Sequence, residues 1–163
     1  MSGDPGQKTA RRDWLRGGLL LVAATTLGSA LWALPFPRSF YDNFPLPGWG
    51  WISTLGPYNE HLVRDYGAMN LAMSVLLVSA ALSLERRLSQ VALLTYLAFA
   101  IPHFVFHTTQ THHFSPLHNT LQLGSLGLLV LLAVALLGLT TSGVARIRIK
   151  PAEGPKHKGG ITS

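Results

Sequence analysis

The sequence predicts an all-α fold: a polytopic transmembrane bundle of four helices with both termini on the cytoplasmic side. Three observations predict it. Four apolar runs approach membrane-spanning length, only 12% of the 163 residues are charged, and the lysines and arginines fall almost entirely on one side of the runs. A soluble domain carries about 25% charged residues, so this chain has too little charge to cover a water-facing surface.

The runs are Gly17–Leu34, Tyr66–Leu84, Val91 to about His107, and Leu121–Leu139. A hydrocarbon core of about 30 Å needs roughly 20 helical residues. Inside it every backbone polar group must be paired, which leaves the helix as the form for each run. With their flanks, the expected helices cover about 17–34, 62–84, 91–109 and 118–139. Before them lies a basic cytoplasmic segment, 1–16, and after them a basic, disordered cytoplasmic tail, 140–163. The transmembrane domain is 17–139.

The joints support this division. Leu34-Pro35-Phe36-Pro37 stops the first helix, since proline cannot continue the hydrogen-bonded turn. The loop 35–58 is long and aromatic, with Phe36, Phe40, Tyr41, Phe44, Trp49, Trp51 and Tyr58. Such rings favour the headgroup region, either capping the bundle or forming a lid over a pocket. Asn59 reads as a helix N-cap, with Glu60 in the first turn where the helix dipole favours an anion. Glu85-Arg86-Arg87 is a tight charged link, and Ser115-Pro116 starts the fourth helix.

Orientation follows from the basic residues. Lys8, Arg11, Arg12, Arg16, Arg86, Arg87 and the tail residues Arg146, Arg148, Lys150, Lys156 and Lys158 share one side, and the other has Arg38 and Arg64. Both termini are therefore expected inside, with the chain crossing the membrane several times. Arg11-Arg12 with Gly28-Ser29-Ala30 resembles a twin-arginine export signal with a cleavage site. We read it instead as the basic flank of an anchor helix, because the three later helices also require membrane insertion.

Composition excludes several chemistries. The chain has no cysteine, hence no disulfide, thiolate metal site or cysteine nucleophile. No phosphate loop or dinucleotide fingerprint is present. The net charge of +6 sits beside apolar runs, so the expected partner is the lipid bilayer and not nucleic acid. Other membrane subunits, or a second copy, are further candidates.

The residues that suggest a site are histidines. Outside the tail there are six: His61, His103, His107, His112, His113 and His118. The topology brings all of them to the outer end. His103 and His107 are four apart and share a helix face, which is how one helix offers two imidazoles to a metal. The candidate ligands are His61, His103, His107 and His118, for a divalent metal such as zinc. Glu60, Arg64, Asp65 and Asn70 would support them or lock helices together. A carboxylate at the depth of Asp65 needs a partner, with Arg64, His61 or a histidine of the third helix available. Other readings of the cluster stay open. The polar residues can simply hydrogen-bond helices to one another in a structural or accessory subunit. They can serve a proton-linked role in a membrane oxidoreductase-type enzyme, bind haem through two histidines, or face a quinone-like lipid under the aromatic loop. No residue is assigned a catalytic role, and an enzyme is the less favoured class.

Gly56-Pro57-Tyr58-Asn59-Glu60-His61-Leu62-Val63-Arg64-Asp65-Tyr66-Gly67-Ala68 and Pro102-His103-Phe104-Val105-Phe106-His107 resemble segments of small uncharacterised actinobacterial membrane proteins. These are loosely similar to the DoxX-like group, and the resemblance covers about residues 35–140. It implies a four-helix architecture and a bacterial inner membrane, and no particular reaction.

Overall fold

A computed structural model describes residues 5–141. The expected basic tail beyond Thr141 lies outside the described residues. The described chain is all-helical: α1 Pro5–Ala33, α2 Pro37–Asn43, α3 Glu60–Ser83, α4 Arg86–Thr109, a single 3-10 turn Thr111–His113, and α5 Pro116–Thr141. Four of these, α1, α3, α4 and α5, are long and apolar enough to cross a membrane.

Two boundaries differ from expectation. The basic segment is not separate from the first helix, because α1 already begins at Pro5 and carries Arg11, Arg12 and Arg16 on its first turns. Between Gly6 and Ala33 nothing breaks a helix, and Gly17-Gly18 only weakens it by about 1 kcal/mol per residue relative to alanine. Likewise α4 starts at Arg86, five residues before the apolar run, because arginine and leucine are good helix formers.

The elements end for local reasons. Pro35 closes α1. Leu84, at φ 50°, closes α3 in the left-handed region while its N–H donates to the Ala80 carbonyl at 2.9 Å. Asn59 caps α3 by accepting from the Leu62 N–H at 3.1 Å. Ser115 Oγ accepts from the His118 N–H at 3.3 Å, and Pro116 occupies the first helical position, where its missing N–H costs nothing.

In space the spans form a ring: α1 lies along α3, α3 along α4, α4 along α5, and α5 returns to α1. The tightest seam is α1 on α3. Ala23, Ala30 and Ala33 from α1 and Gly67, Ser74 and Ala81 from α3 are all buried. Between apolar helices in lipid there is no hydrophobic driving force, so close backbone approach through small residues supplies the packing energy. At Gly67 the approach is closest: an added Cβ would lie 2.9 Å from Leu34 Cγ and 3.2 Å from both Ala33 Cβ and the Leu34 backbone nitrogen. Arg16 ties the other end of the seam, with Nε donating to the Ala81 carbonyl at 3.3 Å, a cation at a helix C-terminus.

Two separate apolar cores result. The larger fills the half of the bundle that holds the termini, around Leu19, Val22, Leu77, Leu93, Ala133 and Leu136. The smaller sits at the loop end, around Ala33, Phe40, Tyr41 and Val63. The space that the candidate site occupies lies between them.

The seam makes a testable claim about two glycines. Gly67→Leu is expected to lower stability in detergent by about 1–3 kcal/mol, the usual cost of overpacking. Gly124, where an added Cβ meets nothing within 4 Å, is expected to tolerate alanine with no loss. Thermal unfolding of both variants followed by circular dichroism checks the contrast.

Candidate functional site

The loop between α1 and α3 is an ordered cap. It folds back at Gly48 (φ 81°) and Gly50 (φ 55°), conformations that favour glycine. At Gly50 a Cβ would also fall 2.7 Å from Ser53 Oγ. The Gly50 carbonyl collects the Thr54 N–H at 3.1 Å and the Thr54 hydroxyl at 2.9 Å, and the Trp51 N–H donates to the Phe44 carbonyl at 2.9 Å. Arg38 clamps the outside. Its Nε donates to Asp42 Oδ2 at 2.7 Å and its guanidinium lies 4.9 Å from the Tyr58 ring centre. The hydrogen bond to Asp42 holds the Arg38 pKa above its ordinary value. Burial, aided by Glu60, pushes the Tyr58 hydroxyl above the usual tyrosine range. Tyr41 donates to the Gly56 carbonyl and closes the loop on itself.

Under this cap is a cavity of about 910 Å³ reaching into the bundle between α1, α3, α4 and α5. That is at the large end of the usual range for small-molecule pockets, about 300–1,000 Å³. Aromatic rings run along its walls. Trp32 meets Phe40 edge-on at 5.7 Å, Phe40 stacks on Tyr66 at 5.7 Å, and Tyr66 approaches Phe99 at 6.3 Å. The Phe99 ring in turn stacks on His103 at 5.1 Å, and His103 meets His107 at 4.6 Å. From the roof, Trp49 and Trp51 add to the wall.

The polar groups on the wall are uncharged side chains: Thr25, Thr26 and Ser29 of α1, Tyr66 and Asn70 of α3, Tyr96, His103 and His107 of α4, Gln122 and Ser125 of α5. No lysine, arginine, aspartate or glutamate is among the lining residues. Three of the hydroxyls bond backbone: Thr25 donates to the Val22 carbonyl at 2.8 Å, Thr26 to that of Ala23 at 3.0 Å and Ser125 to that of Gln122 at 3.0 Å. Three other polar groups are buried. Trp51 Nε1, His107 Nδ1 and both amide atoms of Gln122 have no hydrogen-bond partner in the protein, although the three side chains are only 8%, 8% and 2% exposed. Gln122 and His107 are close enough for their side chains to interact across α4 and α5. A buried polar group without a partner costs about 1–3 kcal/mol; these atoms are covered by their neighbours and do not themselves open onto the cavity.

The sequence-predicted site residues are dispersed. His61 and Asp65 pair with each other, Nε2 to Oδ2 at 3.1 Å, on the outside of α3 with their side chains 87% and 62% exposed. His103 and His107 face the cavity. His118 does not line it, but stacks behind Trp49 at 5.0 Å and 16°. His61 and His118 thus lie apart from the His103–His107 pair. Among the described residues no three of histidine, aspartate and glutamate are grouped as metal ligands, because His61 and His103 project from different faces of the bundle. His112 and His113 sit on the 3-10 turn and are exposed.

The supporting residues also find other partners. Arg64 Nε donates to Glu60 Oε1 at 2.8 Å, and Nη1 reaches the Leu34 carbonyl at the end of α1. Glu60 and Arg64 thus fasten α1 to α3, and neither approaches a histidine pair. Asn70 Nδ2 donates to the Tyr66 carbonyl at 2.9 Å, within its own helix, so it is not the interhelical bond expected.

Sequence reasoning missed Gln122 and Tyr66. Gln122 carried a signal: it is an amide within the span that holds the longest apolar stretch. Comparison with family models, with curated proteins and with solved structures found no match.

Arg64→Gln removes the cation from the α1 C-terminus and is expected to lower the unfolding temperature, at a cost of about 0.3–1 kcal/mol. His61→Ala, which loses only an exposed pair, is expected to leave it unchanged within error. Parallel thermal melts of the two variants decide whether the polar face of α3 fastens helices or merely decorates the surface.

Proposed function

We propose that this protein binds an uncharged, lipophilic small molecule taken from the bilayer, of the size and class of a lipid quinone or phenolic lipid. The observation that carries the reading is the 910 Å³ cavity with no charged side chain on its wall. A divalent metal would need more carboxylate or imidazole ligands than His103 and His107, which alone among the histidines and carboxylates face the cavity. A fatty acid or phospholipid head would need a cation. An apolar chain with a small neutral head needs neither, and the aromatic walls offer it large contact area.

We place the protein in a bacterial cytoplasmic membrane with the cavity toward the outside, an orientation that the charge distribution supports. Arg11, Arg12, Arg16, Arg86 and Arg87 sit at the end of the bundle with the termini, while the capped end has Arg38 and Arg64. Under the positive-inside rule the capped end faces away from the cytoplasm.

Organic extraction of the detergent-purified protein, read by mass spectrometry, is expected to yield one neutral lipophile at near one-to-one stoichiometry. Ala100→Trp, which places an indole where a buried alanine lines the cavity, is expected to abolish recovery of that molecule while helicity is kept. An extract free of any such molecule, together with Ala100→Trp raising the unfolding temperature, would show the cavity to be a packing gap and sink the reading.

A further inference from the structure

The seams around the cavity are not closed alike. Between α1 and α3 the backbones approach at Gly67, where an added Cβ would lie 2.9 Å from Leu34 Cγ. Between α3 and α4 two rings meet, Tyr66 and Phe99, at 6.3 Å. Between α4 and α5 the Phe104 ring packs on Gly127, where a Cβ would stand 3.5 Å from Phe104 Cε2. The cap is joined to α1 by the Trp32 Nε1 bond to Ser39 Oγ at 3.2 Å, and to α5 by Trp49, which stacks on His118 at 5.0 Å.

The seam between α1 and α5 differs along its length. In the half of the bundle that holds the termini the two helices touch, and an added Cβ at Gly18 would lie 2.5 Å from Leu136 Cδ2. In the capped half, among the described residues, no hydrogen bond or ring contact joins them. Trp32 of α1 turns to Phe40 and Phe44, and α5 has no aromatic ring but His118, which is taken up by the cap. Thr25 and Gly28 of α1 and Leu121 and Ser125 of α5 line the cavity and are also exposed. At Gly28 a Cβ would meet nothing within 4 Å. The two hydroxyls on this rim are spent on their own helices, Thr25 on the Val22 carbonyl and Ser125 on that of Gln122. What they turn to the gap is methyl and methylene, which an apolar chain passes without losing a hydrogen bond.

Depth points the same way. Gly28 lies about 8 Å inside the end of α1 at Ala33, at a rise of about 1.5 Å per residue. That is the level of acyl chains, below the headgroups.

We infer that the gap between α1 and α5 is the mouth of the cavity, through which an uncharged lipophile enters and leaves sideways from the acyl chains of the leaflet on the capped side. This rests on the proposed binding of such a molecule. Gly28 sets the width of the mouth, since it alone on the rim leaves open space where a side chain would stand. The aromatic cap stays in place during exchange.

The chain has no cysteine and four tryptophans, which gives the test its reporters. Trp14, 75% exposed, is replaced by phenylalanine; the remaining three, Trp32, Trp49 and Trp51, all line the cavity. The full-length protein is held in phosphatidylcholine nanodiscs and mixed with vesicles that carry 1,12-dibromododecane, whose bromines quench tryptophan. Gly28→Cys is labelled with a bulky methanethiosulfonate reagent that dithiothreitol removes. The label is expected to slow quenching at least about tenfold, because passage must wait for it to move aside. The final extent is expected to be unchanged, and dithiothreitol is expected to restore the rate. The same label on Gly17→Cys, about three turns back on the same face of α1, or on Leu62→Cys, at the α3–α4 rim, is expected to leave the rate as it was. An unchanged rate in labelled Gly28→Cys overturns the mouth, and so does slowing by the Leu62→Cys label to the same degree. A lower extent at an unchanged rate also overturns it, by placing position 28 in the site and not at its entrance. Each of these results leaves the binding of a neutral lipophile standing. Absence of quenching in the unlabelled protein removes that binding and the mouth with it.

Discussion

The close approach of α1 and α3 is the constraint on which the rest of the structure depends. Gly67 has no side chain, so the last turn of α1 lies directly against the first half of α3. Arg64 then reaches the Leu34 carbonyl from α3 and, with Glu60, pins that turn in place. Because α1 ends at a fixed point, α2 and the aromatic loop start from a fixed point, and the cap can be built of ordered rings. A looser seam would move the roof of the cavity with it.

The cavity follows from an asymmetry in the ring of helices. Packing energy in lipid comes from close contact, and α1 spends its small residues, Ala23, Ala30 and Ala33, on α3. It meets α5 closely at Gly18 and Leu136. Farther along, α5 is the least buried of the four spans, with 17% of its apolar window inside the protein. The space left between the diverging halves is lined by what the four helices turn inward, which is aromatic and uncharged.

The charged residues complement this arrangement by staying out of it. Arg38 and Asp42 pair on the cap, His61 and Asp65 on the outer face of α3, and Arg64 and Glu60 at the α1–α3 joint. Each pair is four residues apart on one helix, so the ionic groups satisfy one another locally. What remains for the interior is neutral polarity. The three unpartnered groups, on the cap, α4 and α5, belong to segments that no single helix could have brought together.

The helices themselves were legible without a structure. Four apolar runs, Pro35, the Asn59 cap and Ser115-Pro116 place their number and most of their ends, because in a bilayer a long apolar run has one way to pair its backbone. The aromatic loop was legible as a cap or lid for a similar reason. The site was not. Histidine spacing pointed to a metal, since His103 and His107 do share a face, but whether His61 and His118 join them depends on how far α3 and α5 are rotated about their axes. That rotation is set by packing at Gly67 and Leu136, which no spacing within a helix encodes. The same rotation turned His61 outward to Asp65, set His118 behind Trp49, and brought Gln122 to the cavity wall. Periodicity determined which residues lie on a common face of each helix; only the contacts between helices decided which face looks inward.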